Sequence, residues 1–294
     1  MKPVDLLGLG SLAWDDLLTI DHFPLPDQKV RAQTRTKRVG GLTGGALLAA
    51  TQCGGSAAYA GRLGTDPASQ AVESALVESG IDVSLSVHAP ENGVVQSVII
   101  AATRAGTRNV FSFRNGETGA HPELPPLDAC DHCNVLLVDH HGIPGQLRMA
   151  QHFRKTGRPV VCDIERLDTP STRELLQSCS HILLPEAFAL HLAETTSPKE
   201  ALRHLRSTLP AADLCLITQG EKGGLFSQKT DPLGACHPFA PLRPVLNCDT
   251  TGCGDFFHGA FCVALSKKQP IEECIEFASK QTAAFLTQRN LARF

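Results

Sequence analysis

Asp249-Thr250-Thr251-Gly252-Cys253-Gly254-Asp255, running into the apolar stretch FFHGAFCVAL, places a glycine-rich turn and a carboxylate at the start of a helix. Gly252 and Gly254 let the backbone approach an anion closely, and the first helical turn carries N–H groups without intrahelical acceptors. Those donors and the positive end of the helix dipole suit a phosphate. Asp255 is out of place beside an anion unless it does chemistry, such as taking a proton from an attacking hydroxyl. The plainer reading of the same residue is an acidic cap after a glycine turn. The pattern alone leaves both open.

Outward from this turn, short apolar runs alternate with helical patterns. Residues 4–10, 57–62, 135–139, 160–163, 181–184 and 214–218 read as strands; 46–52, 67–79 and the segments after Asp255 and Pro270 read as helices. This is the sequence form of an α/β fold, a mainly parallel sheet covered by helices on both faces. Residues 14–38 and 94–114 break the alternation with LLTI, KVRAQTRT, VVQSVIIAATR and NVFSF, and no helix separates successive runs. They predict a small antiparallel β lid, which cannot bury both faces within its own length and needs a partner.

Composition narrows the function classes. A net charge of −3 with scattered basic residues argues against nucleic acid, and RAQTRTKR at 31–38 alternates like a solvated strand face. No apolar run approaches the roughly 18 to 20 residues of a membrane span. Eleven cysteines without regular spacing or a leader segment point to a reducing compartment, the cytoplasm. Cys130-x-x-Cys133 lacks a second pair at matching spacing and runs into the apolar VLLV, so it reads as buried thiols rather than a zinc site.

DTTGCGD followed by F-x-G-A resembles the C-terminal signature of the PfkB carbohydrate kinases, the ribokinase-like family. VGGLTGGALLAATQCGGSAAYAGRLGTD at 39–66 is similar to that family's N-terminal signature, and VLLVDHHG, PVVCDIER, HILLPEAFAL and LCLITQGEKGG fall in the order of its core strands. The ITQG and DTTGCGDFFHGA stretches are similar to the sulfofructose kinase and fructokinase branch. The resemblance spans nearly the whole chain. It implies one ribokinase-like domain over 1–294, with lid strands inserted at about 14–38 and 94–114. It further implies a sugar substrate, ATP and Mg2+ as cofactors, a K+ ion beside the anion turn, and a homodimer through the lid.

The resemblance also assigns roles. Asp255 matches the catalytic base, and the amides of Gly252, Cys253 and Gly254 match the anion hole. Asp249 and Thr251 match positions near a monovalent cation, against a plainer reading as turn hydrogen bonding. Asp15 matches the carboxylate that grips sugar hydroxyls, with the adjacent Asp16 able to take its place, and Gly40 and Gly41 match the bare backbone under the sugar. Lys29, Arg104 and Arg108 on the lid can face a charged substituent or only solvent. His141, just past the strand VLLVD, stands where ligands of open α/β sheets bind, or is a surface histidine. Thr218, Gly220 and Gly223 match the turn beside the nucleotide.

Four departures stand out, one of them the segment Asp66-Pro67-Ala68-Ser69, which lacks the customary glycine after its acid. The usual N-x-x-E after HILLP is Glu186-Ala187-Phe188-Ala189, so an alanine replaces the carboxylate that orders magnesium water, and Glu186 is left to compensate. Gly45 replaces a sugar-binding asparagine, which removes one hydrogen bond to the acceptor. The glycine-rich tail is not recognisable. The residues therefore support a sugar kinase, with a nucleoside kinase of the same fold or a catalytically silent sensor as alternatives. A dinucleotide oxidoreductase drawn from Gly8-Leu9-Gly10 lacks its third glycine.

Overall fold

The computed structural model describes residues 3–291 apart from 105, 168, 233 and 241–249. From the N-terminus, β1 (Val4–Gly8) leads into β2 (Ala13–Ile20), β3 (Thr34–Gly40) and helix α1 (Leu42–Gln52). Next come β4 (Ala57–Tyr59), β5 (Arg62–Leu63), α2 (Pro67–Glu78), β6 (Val87–His88), β7 (Val95–Ala102) and β8 (Thr107–Arg114). The chain then alternates through β9 (Cys133–Val138), α3 (Ile143–Lys155), β10 (Val160–Cys162), α4 (Pro170–Ser178), β11 (His181–Pro185), α5 (Glu186–Leu192), α6 (Pro198–Thr208) and β12 (Leu214–Thr218). The hairpin strand β13 (Gly224–Gln228), then β14 (His237–Phe239), α7 (Cys253–Ser266) and α8 (Ile271–Leu291) follow.

The central sheet has the order β14-β13-β12-β11-β10-β9-β1-β4, parallel from β12 to β4 and antiparallel at β13 and β14. In β9, Leu136 and Val138 pack into one apolar core with Phe153 and Leu205, while Val135 and Leu137 pack into the other with Leu47 and Phe261. Both faces are therefore dry, which is why these strands read as continuous apolar runs. Helix ends follow local chemistry. Asp66 caps α2 by accepting from the N–H groups of Ala68 and Ser69, with Pro67 at the first helical position.

Three strands are shorter than the sequence suggests, β10 by the single residue Asp163. β1 ends at Gly8, and the 57–62 run breaks after Tyr59: Ala60 still donates to Gly8 O, but Arg62 turns away to Gly119 O. The lid sheet has the order β3-β2-β7-β8. Its outer pairings are antiparallel as expected, but the central pair, β2 with β7, is parallel. The lid is two hairpins lying side by side by their first strands. Both first strands leave the body at its edge, Leu12 O accepting from Val95 N–H, so they run the same way. No tight turn joins them to impose the opposite sense.

Register places Asp15 opposite Arg38 and Ser97, and Ser97 opposite Ser112. Asp15 shares its face of β2 with buried Ala13 and Leu17, whereas Trp14, Asp16 and Leu18 are half-buried on the other face. That other face also presents Val98, Phe111 and Phe113, which are 42%, 58% and 62% exposed.

Candidate active site

α7 opens at Gly252, whose φ of 79° is a left-handed conformation that glycine adopts without a Cβ penalty. Within the turn, Cys253 N–H donates to Thr250 O at 3.1 Å. The N–H groups of Gly252 and Gly254 have no acceptor among the described residues. Of the three amides expected to form an anion hole, those of Gly252 and Gly254 are open among the described residues, while that of Cys253 is engaged. Asp255 folds back over this turn, its Oδ2 3.7 Å from the position a Cβ of Gly252 would take.

On the other side Asp255 meets α1. A Cβ built on Gly45 would stand 2.7 Å from the Asp255 Cβ and 2.9 Å from Oδ2. Gly45 is therefore the space in which the carboxylate is seated. Gly45→Ala is expected to push Asp255 off the turn and lower turnover at least about tenfold, since displacements near 1 Å can cost that much and more. Nucleotide affinity should stay unchanged, and steady-state kinetics beside calorimetric nucleotide binding check the pair of outcomes.

Burial pushes the Asp255 carboxyl well above the usual range, Asp163, Glu165 and Asp15 add repulsion, and His258 works against them. Asp163, just past β10, is raised by burial and by Glu165 and Asp139. Its Oδ2 is buried with no hydrogen-bond partner among the described residues and lies 3.5 Å from His258 Nδ1. His258 spans the junction, Nδ1 lying 2.8 Å from Gly254 O and Nε2 3.2 Å from Leu183 O. Sequence reasoning assigned no role to Asp163 or His258. The available signal was an acid at the carboxyl end of a parallel strand, where crevices of open α/β sheets form.

A second wall is built from β2, β3 and the start of α1. Asp15, 7% exposed, lies flat against Gly40, where a Cβ would collide with its carboxylate. Burial raises its carboxyl against a hydrogen bond from Ser97 and the charge of Arg38. Asp16 is on the opposite face, bound by Arg35 at 3.0 and 2.6 Å, so Asp15 is the member of the pair turned to the crevice. Gly41 caps α1 at φ 85° and packs on Ser11, a Cβ there falling 2.6 Å from Ser11 O.

A residue that the sequence reading passed over organises this wall. Asp139, fully buried, accepts from Ser11 N (2.6 Å), Ser11 Oγ (2.9 Å) and Thr43 Oγ1 (2.9 Å) on Oδ2, and from His141 N (2.8 Å) and Gln146 Nε2 (2.9 Å) on Oδ1. Burial alone would raise its carboxyl, but the His141 ring and the Ser11 N–H outweigh burial and hold it well below the usual range. His141 Nε2 lies 2.8 Å from Arg114 Nη2. An arginine only donates, so Nε2 accepts and Nδ1 carries the proton, 3.4 Å from Asp139 Oδ1.

The lid cations divide by register. Arg108 opposes Ala101 near the far end of the β7–β8 hairpin and is exposed, Lys29 is exposed between β2 and β3, and Arg104 pairs with Asp21 at 3.2 Å. Arg114 ends β8 where the strand returns to the body, and it is the lid arginine that contacts the crevice residue His141.

Thr218, expected beside a nucleotide, ends β12, and Gly220 and Gly223 turn the chain into β13 at φ 57° and 82°. Gln219 Nε2 donates to Glu186 Oε1 at 2.6 Å, which ties this turn to the start of α5. Ala189 is wholly buried in the apolar core, packed among hydrophobic side chains rather than open to solvent. Thr251 O accepts from Arg289 Nη1 at 2.5 Å. Asp249 lies outside the described residues. A separate cleft of about 900 Å3 beyond Glu165, against Phe188 and His191, includes none of Asp15, Asp139 or Asp255.

Known proteins show the same pattern of elements. Residues 10–294 match the model of the pfkB family carbohydrate kinases. The chain belongs to that family. A ribokinase of Arabidopsis thaliana is 29% identical over 290 residues, covering 93% of this chain and 74% of that protein. A Bacillus subtilis ribokinase is 24% identical over 276 residues, covering 92% and 89%. The structure of Arabidopsis thaliana ribokinase complexed with ribose and ATP shares the fold at a TM-score of 0.82 and 21% identity, over 98% of this chain and 93% of that one. Within this fold Asp255 sits between the Gly252 turn and Gly45 and within electrostatic range of Asp15, which lies against Gly40, while Gln219, between Thr218 and Gly220, is tied to Glu186.

Proposed function

We propose that the chain transfers the γ-phosphoryl group of ATP to a hydroxyl of a small sugar, with Asp255 as general base. The observation that supports this most is the seat of Asp255 between the anion turn at Gly252 and the α1 backbone at Gly45, within electrostatic range of Asp15. The Asp15 carboxylate accepts hydrogen bonds from sugar hydroxyls over the bare backbone of Gly40 and Gly41. Asp255 takes the proton as the hydroxyl oxygen bonds to the γ-phosphorus. The bond to the bridging oxygen breaks, ADP leaves, and the N–H groups of Gly252 and Gly254 hold the charge on the transferring oxygens.

Mg2+ in such a site is carried mainly by phosphate oxygens and water. Glu186, already fixed by Gln219, is the carboxylate on the nucleotide side that would order that water. The ion neutralises phosphate charge when bound. The Arg289 guanidinium at the Thr251 oxygen disfavours K+ at that atom, since a second positive charge there is repelled.

ADP release in Mg-ATP with ribose, fructose and a set of nucleosides tests the reading. Sugar-dependent release supports it. Release only with nucleosides moves the chain to the nucleoside kinases, and ligand binding without release from any acceptor makes it a sensor.

We further propose a homodimer through the lid and a cytoplasmic location. The lid's outer face supports the first, since Val98, Phe111 and Phe113 form an apolar surface that a second lid would cover. The free buried thiols of the core, among them Cys162, Cys215 and Cys262, support the second. In sedimentation at micromolar concentration the wild type is expected as a dimer and the Phe111→Ser, Phe113→Ser double variant as a monomer.

A further inference from the structure

Arg289 lies near the end of α8 and reaches the anion turn, its Nη1 donating to Thr251 O at 2.5 Å. The guanidinium carbon is 5.7 Å from the Phe285 ring centre, and Phe285 stacks on Phe256 at 4.4 Å, next to Asp255 in α7. Aromatic contacts that run back to α7 therefore hold the guanidinium in place. The oxygen of Thr251 and the N–H of Gly252 belong to one planar trans peptide unit, in which the two groups point in opposite directions. Fixing that oxygen toward α8 aims the Gly252 N–H the other way, and it has no acceptor among the described residues.

A PfkB chain is expected to carry a monovalent cation beside this turn, near Thr251. Here a permanent cation already sits at the Thr251 oxygen, and a second positive charge at the same atom is repelled at short range. Unlike a bound alkali ion, the guanidinium needs no free-ion concentration, and it stays charged throughout the working pH range.

We propose that Arg289 is the built-in cation of the anion turn: it orients the Thr251–Gly252 peptide toward the transferring phosphoryl group and makes the reaction independent of potassium. The inference rests on the phosphotransfer reading above. Arg289 is a positioning residue, acting through the Gly252 N–H.

Turnover is measured in buffers whose only bulk cation is tetramethylammonium, with and without K+. Wild-type turnover is expected to agree within twofold. Arg289→Ala is expected to lower kcat about ten- to a hundredfold, a little less than outright loss of an oxyanion donor, with KM for ATP little changed. Millimolar guanidinium ion or K+ should then restore a large part of the loss, which a purely structural contact would not allow. Arg289→Lys keeps the charge and should retain more activity than Arg289→Gln, and these variants carry the test if the alanine variant fails to fold. A wild type that loses more than tenfold on K+ withdrawal overturns the inference. So does an Arg289→Ala kcat within twofold of wild type, or a deficit that neither cation touches.

If the wild type releases no ADP with any acceptor, the phosphotransfer reading fails, and calorimetric ATP binding decides the inference instead. Binding insensitive to K+ in the wild type but dependent on it in Arg289→Ala supports the built-in cation. Dependence on K+ in the wild type overturns it.

Discussion

Asp255→Asn is expected to remove turnover by a factor of about 10² to 10⁴ while making the folded protein more stable at neutral pH. The two effects share one cause. Burial, then Asp163, Glu165 and Asp15, raise the Asp255 carboxyl well above its unfolded value of 3.8. The fold therefore favours the protonated acid, and the stability this group contributes is complete below the unfolded value and lost as pH rises through the folded one. Asparagine has no proton to lose. The variant's advantage in melting temperature should be absent below about pH 4 and grow to a plateau once the wild-type group ionises. In the active enzyme, kcat/KM should rise through the same ionisation, on an acidic limb above the ordinary carboxylate range. Melting scans from pH 4 to 9 and a pH–rate profile read both. A variant that keeps wild-type turnover ends the general-base assignment.

Asp139→Asn is expected to be among the most destabilising single substitutions in the chain, costing at least about 3 kcal/mol, because it breaks a buried charge out of its full set of donors. The five donors come from Ser11, Thr43, His141 and Gln146. An amide NH2 in place of one oxygen would face donors instead of acceptors. The sign of the pH dependence is opposite to that of Asp255. The folded value lies below 3.8, so the contribution is complete above 3.8 and lost as pH falls through the folded value. At neutral pH the whole difference should appear, as a fall in melting temperature of roughly 6 °C or more. The loop at Ser11 and the start of α1 would loosen with it, so a surviving variant should show a raised KM for the sugar. An unchanged melting temperature would refute this role for Asp139.

The alternation of apolar strands and helices was legible because each strand is buried on both faces, a property of its own residues. The anion turn was legible for a similar reason, since the glycines, the helix start and the acid are consecutive in the chain. What escaped was whatever depends on distant partners. Asp139 looks like any strand-end acid until Ser11 and Thr43 fold against it. Arg108 and Arg114 are equivalent in composition, and only register puts one at the hairpin's far end and the other beside His141. Gly45 read as a lost hydrogen bond, because nothing local reveals that Asp255 needs that space. The parallel seam of the lid escaped for the same reason, joining hairpins with no shared turn.

That seam bears on how the chain reaches its native state. Ala13 finds Val95 only after roughly eighty intervening residues have taken their places, and such distant pairings form slowly compared with local ones. Each hairpin can zip on its own early, yet their union must wait for the body that carries them. During refolding, amide protons on the β2–β7 boundary should gain protection after those within either hairpin, and sugar binding should be the last property to return.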